Sequence, residues 1–190
     1  MTLHLTGDPA ADELLSTSPL ALLLGMVFDQ QIPLEWAFTG PKTLTERLGE
    51  PLDAAHLAGM DPEALVEIFR AKPAIHRYPS SMAARCQAVC QTIVEDFGGT
   101  TEQIWEQASD GGDLFARVKS LPGFGDMKAK IFIALLGKQL GLTTPGWESI
   151  SEPYSEPGSF RSVADIVDEE SLEKVRSFKA EMKRAAKAGA

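Results

Sequence analysis

The strongest chemical signal in this chain is the run Leu121-Pro122-Gly123-Phe124-Gly125-Asp126-Met127-Lys128-Ala129. An apolar helix leads in, a tight turn follows, and a second helix begins at once. Two glycines this close let the backbone bend sharply and leave no side chain in front of an approaching ligand. The first amides of the second helix lack intrahelical acceptors and carry the positive end of its dipole. Such a socket takes an anion, and a phosphate suits it. The plainer reading is an ordinary turn with glycine as punctuation. From Leu114 to Lys138 the basic residues Arg117, Lys119, Lys128, Lys130 and Lys138 stand against one acid, Asp126. The hairpin is thus a positive island on a chain of net charge −9. That overall charge argues against nucleic-acid capture by a general electrostatic surface, so any such binding must be local.

Other chemistry is sparse. Cys86 and Cys90 lie four apart in a helical stretch and share one face, as buried thiols do. Two sulfurs alone do not ligate an iron–sulfur cluster. His4, His56 and His76 have no metal-ligand spacing and read as exposed or hydrogen-bonded histidines. No metal and no cofactor is expected. At 190 residues, 44% of them hydrophobic, the chain can bury one good core or two small lobes. No apolar run reaches the roughly 18 residues of a membrane span. With no basic residue before Lys42, no secretory or mitochondrial leader is expected, and the expected address is the cytoplasm.

The elements that must position the hairpin read as helix after helix. Ser18-Pro19 is an N-cap with proline at the first helical position, opening an apolar helix from Leu20 to about Gln31. Pro33 breaks it and starts another through Phe38, which Gly40 ends. Lys42 to Leu48 is a short helix stopped by Gly49. Asp61-Pro62 repeats the cap and leads Glu63 to Arg70. A longer helix spans about Ser80 to Phe97, with Met82, Val89, Ile93 and Val94 at helical spacing. Gly98-Gly99 closes it, and Thr101 starts another past Trp105. The hairpin helices cover about Leu114 to Ser120 and Asp126 to Leu140, residues 114–140 in all. Residues 141–158 read as loop, and a charged helix covers about 169–188, its basic residues forming a solvated face. There is no β-alternation and no internal repeat.

The hairpin resembles a helix-hairpin-helix, a module that grips a nucleic-acid backbone without reading its sequence. An all-α chain with this hairpin two-thirds of the way along resembles the helix-hairpin-helix (HhH-GPD) DNA glycosylase superfamily of base excision repair. A second match is Leu22-Leu23-Leu24-Gly25-Met26-Val27-Phe28-Asp29-Gln30-Gln31-Ile32, similar to that superfamily's apolar early helix ending in a glutamine-bearing bend. The likeness covers about Ser18 to Gly141. It implies a single helical domain of two lobes over residues 1–190, monomeric, with double-stranded DNA as partner and no membrane. It also implies extrusion of a nucleotide from the stack into a pocket between the lobes.

Residue by residue, the resemblance places Gly123 and Gly125, with Lys128 or Lys130, on backbone phosphates. It places Gln31, or Gln30, in the gap left by the extruded base, where an amide can hydrogen-bond the orphaned partner. Trp36 and Trp147 are its pocket candidates; core packing is the alternative for Trp36. The chain departs from the family at two points. The bifunctional members' nucleophilic lysine falls on Met127, whose thioether cannot form a Schiff base; Lys128 stands about 100° further round the helix. The aspartate expected after the second hairpin helix is absent from Met127 to Tyr154, leaving Glu148 as the catalytic candidate and Glu152 behind it. Two readings follow. One is a monofunctional glycosylase using water, with Glu148 stabilising the cationic sugar. The other is a non-catalytic DNA-binding or scaffold protein that keeps the fold. Glu148 in a cleft beside Gln31 and Trp147 favours the first, and Glu148 on an outer loop favours the second.

Overall fold

The same N-terminal device starts helix after helix. Asp8, Ser18, Asp53, Asp61 and Asp110 each accept a backbone amide of the following first turn, and Pro9, Pro19 and Pro62 supply the fixed φ that a first helical turn needs. The computed structural model describes residues 2–188 and is helical throughout, with no strand among them. Its α-helices are α1 (Pro9–Thr17), α2 (Pro19–Phe28), α3 (Leu34–Leu48), α4 (Ala54–Gly59), α5 (Pro62–Arg70), α6 (Pro79–Asp96), α7 (Gln103–Glu106), α8 (Gly111–Ser120), α9 (Asp126–Leu140), α10 (Trp147–Ile150) and α11 (Glu169–Ala188). A 3-10 turn, Val163–Asp165, precedes α11. No single helix is long and apolar enough to cross a membrane.

The centre of the core is α2, in which every residue from Leu20 to Phe28 is buried. A helix apolar on all sides needs neighbours on all sides. It packs on α1, α3 and α6, while α4 and α5 cover the other side of α6. Helices α8 and α9 pack as a pair, with α10 and the 3-10 turn against α9. One continuous set of buried side chains links all these layers.

Three boundaries differ from the sequence reading, each for a physical reason. Gly40 does not end a helix: α3 runs unbroken through Gly40-Pro41. Gly40 is there for close approach, since a Cβ would lie 2.7 Å from the Phe28 ring; in return the Phe38 ring would lie 2.6 Å from a Cβ on Gly25. This reciprocal Phe-on-Gly packing holds α2 against α3 and outweighs the hydrogen bond that Pro41 cannot donate. Second, α2 stops at Phe28 rather than Gln31. The chain then folds back through Gln31 at φ 58°, the only non-glycine in the left-handed region among the described residues. Third, the stretch expected as loop over 141–158 contains α10, whose Trp147 ring lies flat on α9 where Gly137 has no side chain to block it. Helices α1 and α4 lie in stretches where the sequence reading placed none, although Asp8-Pro9 carries the same cap as Ser18-Pro19. Helix α11 has the expected bounds.

Candidate nucleic-acid interface

The hairpin is built as a plug with an open mouth. Leu121 and Phe124 point inward and are buried, and the Phe124 amide donates to the Leu121 carbonyl at 3.1 Å. Gly123, at φ 88°, makes the reversal. Gly125 then caps α9 in extended backbone (φ −87°, ψ 179°) with no side-chain hydrogen bond to the helix's first amides. A Cβ on Gly125 would meet nothing within 4 Å. The amides of Asp126, Met127 and Lys128 therefore open toward solvent at the positive end of a 15-residue helix.

The positive island around the hairpin is largely consumed within the molecule. Arg117 pairs with Asp113 at 3.1 Å, Lys119 with Asp126 at 2.6 Å, and Lys138 with the buried Asp165 at 2.5 Å. Lys119 also holds the Asp126 carboxyl below its usual range, so that residue stays anionic beside the socket. Lys130 donates to the Glu152 carbonyl at 3.1 Å and keeps an uncompensated charge.

Lys128 does not face the socket. Its ammonium turns inward and donates to the carbonyls of Met26 at 2.9 Å, Asp29 at 3.2 Å and Val27 at 3.5 Å. It is the C-terminal cap of α2, satisfying carbonyls that a helix end leaves orphaned. Burial pushes its pKa down, with the Asp29 charge opposing and Arg85 adding to the shift. The sequence reading of Lys128 as a phosphate contact is corrected on this geometry, and Lys130 is the remaining lysine of the pair.

The two glutamines separate clearly. Gln30 is tied down: Arg85 donates through Nη1 to its Oε1, and His76 Nε2 meets its carbonyl at 3.0 Å. The Tyr78 amide donates to His76 Nδ1 at 3.0 Å, which puts the imidazole proton on Nε2. Burial drives the His76 pKa down, assisted by the nearby Arg85 and Lys128 charges and opposed by its bonds to backbone at Gln30 and Phe28. Gln31 is exposed and its amide has no hydrogen-bond partner among the described residues. Between them lies a depression of about 130 Å³ lined by Gln30, Gln31, His76, Tyr78, Ser81 and Arg85. Tyr78 stands at its rim, 46% exposed.

Arg85 joins this bend to the hairpin. Its side-chain stem packs under Gly123, where a Cβ would come within 2.7 Å of Cδ, while its guanidinium holds Gln30. The glutamine bend, the start of α6 and the hairpin thus meet at one arginine. Sequence reasoning did not single out Arg85 or Tyr78, because they reach the site from α6 and its approach with no local motif. The long-range bonds here span 46 and 55 residues.

The other site candidates are dispersed. Trp36, 39% exposed, donates through Nε1 to the Ala74 carbonyl at 3.1 Å and lines a separate groove with Thr39, Thr43 and Pro73. Trp147 covers Gly137. The two tryptophans do not share a pocket, and neither lines the depression at Gln31. Glu148 lies exposed on α10, where only its carbonyl is engaged, by Ser155 Oγ at 2.7 Å. Met127 projects from the first turn of α9, 64% exposed. A more spacious cavity, about 490 Å³, is lined by Trp105, Leu136, Leu140 and Thr144. It lies at the far end of α9, roughly 18 Å along the helix from Lys128 at 1.5 Å per residue. Cys86 and Cys90 are buried free thiols, and the neighbouring Cys90 thiol, together with burial, raises the Cys86 pKa.

No family model, no curated protein and no solved structure matches this chain.

Proposed function

We propose that the chain binds duplex DNA through its backbone, using a helix-hairpin-helix and a glutamine bend in a glycosylase-like, two-lobed helical architecture. The observation that carries this reading is the uncapped, unobstructed N-terminus of α9 at Gly125, locked through Arg85 to the bend that presents Gln31. A phosphate at the α9 amides needs no base contact, so binding is sequence-tolerant. An exposed Gln31 beside an exposed Tyr78 supplies what a disturbed base step calls for: an amide for an unpaired edge and a ring for stacking. Exposure of Glu148 on an outer helix favours the non-catalytic binder over a glycosylase built on that carboxylate. The test is duplex affinity of the parent and Gly125→Val proteins, measured by fluorescence anisotropy with circular dichroism as a control on folding. A folded Gly125→Val protein that binds like the parent removes the phosphate socket.

One observation favours the monofunctional glycosylase as the second reading. Lys130 draws the Glu152 backbone against α9 one turn after Met127, and residues three apart share a helix face. Glu152, not Glu148, is therefore the carboxylate residue tied through its backbone to a lysine on the face of Met127, where the resemblance puts the nucleophile. A screen of modified-base duplexes for abasic sites tests this reading. Release that Glu152→Gln slows by orders of magnitude while affinity holds would establish it, because a carboxylate facing a developing cation acts in the transition state.

A further inference from the structure

We infer that the outer half of α11 is a basic arm that lies along the phosphate backbone of duplex DNA, a second contact beyond the hairpin. Asp168 accepts the Ser171 amide at the start of the helix, and Leu172, Val175 and the half-buried Phe178 anchor its first turns. Beyond Phe178 every residue from Lys179 to Lys187 is exposed. Ten further residues at 1.5 Å each carry the arm about 15 Å away from its anchor. Its sequence, rich in Ala, Lys, Arg, Glu and Met, holds a helix without tertiary support better than most.

The arm's charge is patterned. Arg176, Lys179, Lys183 and Lys187 recur at three- and four-residue spacing and form one stripe, with Arg184 on its flank and Glu181 the only acid after Glu173. None of Lys179, Lys183, Arg184 or Lys187 has an ion-pair partner among the described residues. Like charges four apart destabilise a helix. The helix dipole accounts for cations in the last turn only, which leaves Lys179 and Lys183 unexplained by it. A stripe that costs the free helix stability is complementary to an external polyanion.

Two observations favour duplex DNA over an anionic lipid surface. The arm has no apolar stripe to enter a bilayer: past Phe178 its only large apolar residue is Met182, among alanines. Its root is also beside the proposed interface, because Arg176 pairs with Glu35 in the first turn of α3, next to Trp36 and four residues past Gln31. At 1.5 Å per residue, Arg184 and Lys187 lie more than a Debye length, about 8 Å at physiological salt, beyond Phe178. The acidic body therefore does not cancel the charge of the arm's outer end.

This inference rests on the duplex-binding reading, and one experiment separates their failures. The full chain carrying Lys179→Ala, Lys183→Ala, Arg184→Ala and Lys187→Ala is titrated with a mixed-sequence duplex over a salt series, beside the parent and Gly125→Val. Vesicles of phosphatidylserine and phosphatidylcholine serve as the lipid probe. The expected result is affinity at least tenfold weaker at low salt. The log–log salt slope should flatten by up to about 3–4 units, at roughly 0.9 for each phosphate that the arm no longer neutralises. Helicity should hold, since alanine is the best helix former. Parental affinity and slope in the arm variant, with Gly125→Val impaired, overturn the arm and leave the socket standing. Loss in the arm variant alone supports the arm and removes the socket. Arm-dependent binding to vesicles with duplex affinity unchanged overturns the proposal in favour of lipid, and a parent with no duplex affinity overturns both.

Discussion

Replacing Lys128 by methionine should cost folding stability and leave the proposed DNA-binding surface intact. Methionine keeps the length and apolar stem of lysine but donates no hydrogen bond. The ammonium serves the Met26 carbonyl at 2.9 Å, that of Asp29 at 3.2 Å and, more weakly, that of Val27. A buried polar group stripped of its partner costs about 1–3 kcal/mol. Two carbonyls lose their main donor, but both bonds are only part-buried and water can reach the gap, so a total of about 1.5–3 kcal/mol is expected. For a chain of this size that corresponds to a fall in Tm of roughly 4–10 °C. Lys130→Met is the matched control: its bond to the Glu152 carbonyl is exposed, so its Tm should stay close to the parent's while its salt slope for duplex flattens by up to about 0.9. Differential scanning calorimetry and anisotropy titrations on both proteins decide the matter. A Lys128→Met protein with parental Tm and weakened duplex affinity would refute the capping role and return Lys128 to the phosphate backbone.

Gly125→Val should melt within about 1 kcal/mol of the parent, since its φ is negative and the space open and it loses only the N-cap preference for glycine over valine, yet lose at least tenfold in duplex affinity; Gly123→Val, at φ 88° and over Arg85, should lose more stability. Because Met127 offers no amine and Lys128 is turned into α2, borohydride reduction should trap no protein–DNA adduct on the proposed reading, and a trapped adduct would contradict the placement of Lys128. His76 should make stability fall on acidification. The unfolded chain takes up a proton near pH 6.5 while the folded imidazole, its pKa lowered, does not, so stability is flat above that pH. It then declines by up to about 1.4 kcal/mol per pH unit until the folded pKa is reached. His76→Gln should remove this component of the decline in Tm, and an unchanged pH profile would show that His76 is not its source.

Local chemistry made much of the fold legible in advance. Ser18-Pro19 and Asp61-Pro62 marked helix starts because caps act within three residues, and the bounds of α9 and α11 followed from the glycines and charges around them. Gly40 misled because a helix stop and a close approach need the same residue; only the Phe28 ring tells them apart. The site was half visible. The hairpin is local, whereas Arg85 and His76 matter through bonds to a bend some 50 residues away, and no spacing rule reports that. The lysines and arginines around the hairpin overstated its free charge, because Asp113 lies one residue before the stretch from Leu114 to Lys138 and Asp165 reaches Lys138 from 27 residues further on.

The cap on α2 has a consequence for how the chain acquires its structure. Helix α2 is finished by a lysine 99–102 residues further along. Loop closure over that distance comes late, after local helices have formed. During synthesis the most apolar helix of the protein therefore waits, its last carbonyls unserved, until the hairpin has been made. A fragment ending before Lys128 should keep α2 packed on α1, α3 and α6 yet leave its last carbonyls without their donor, so the hairpin also finishes the fold.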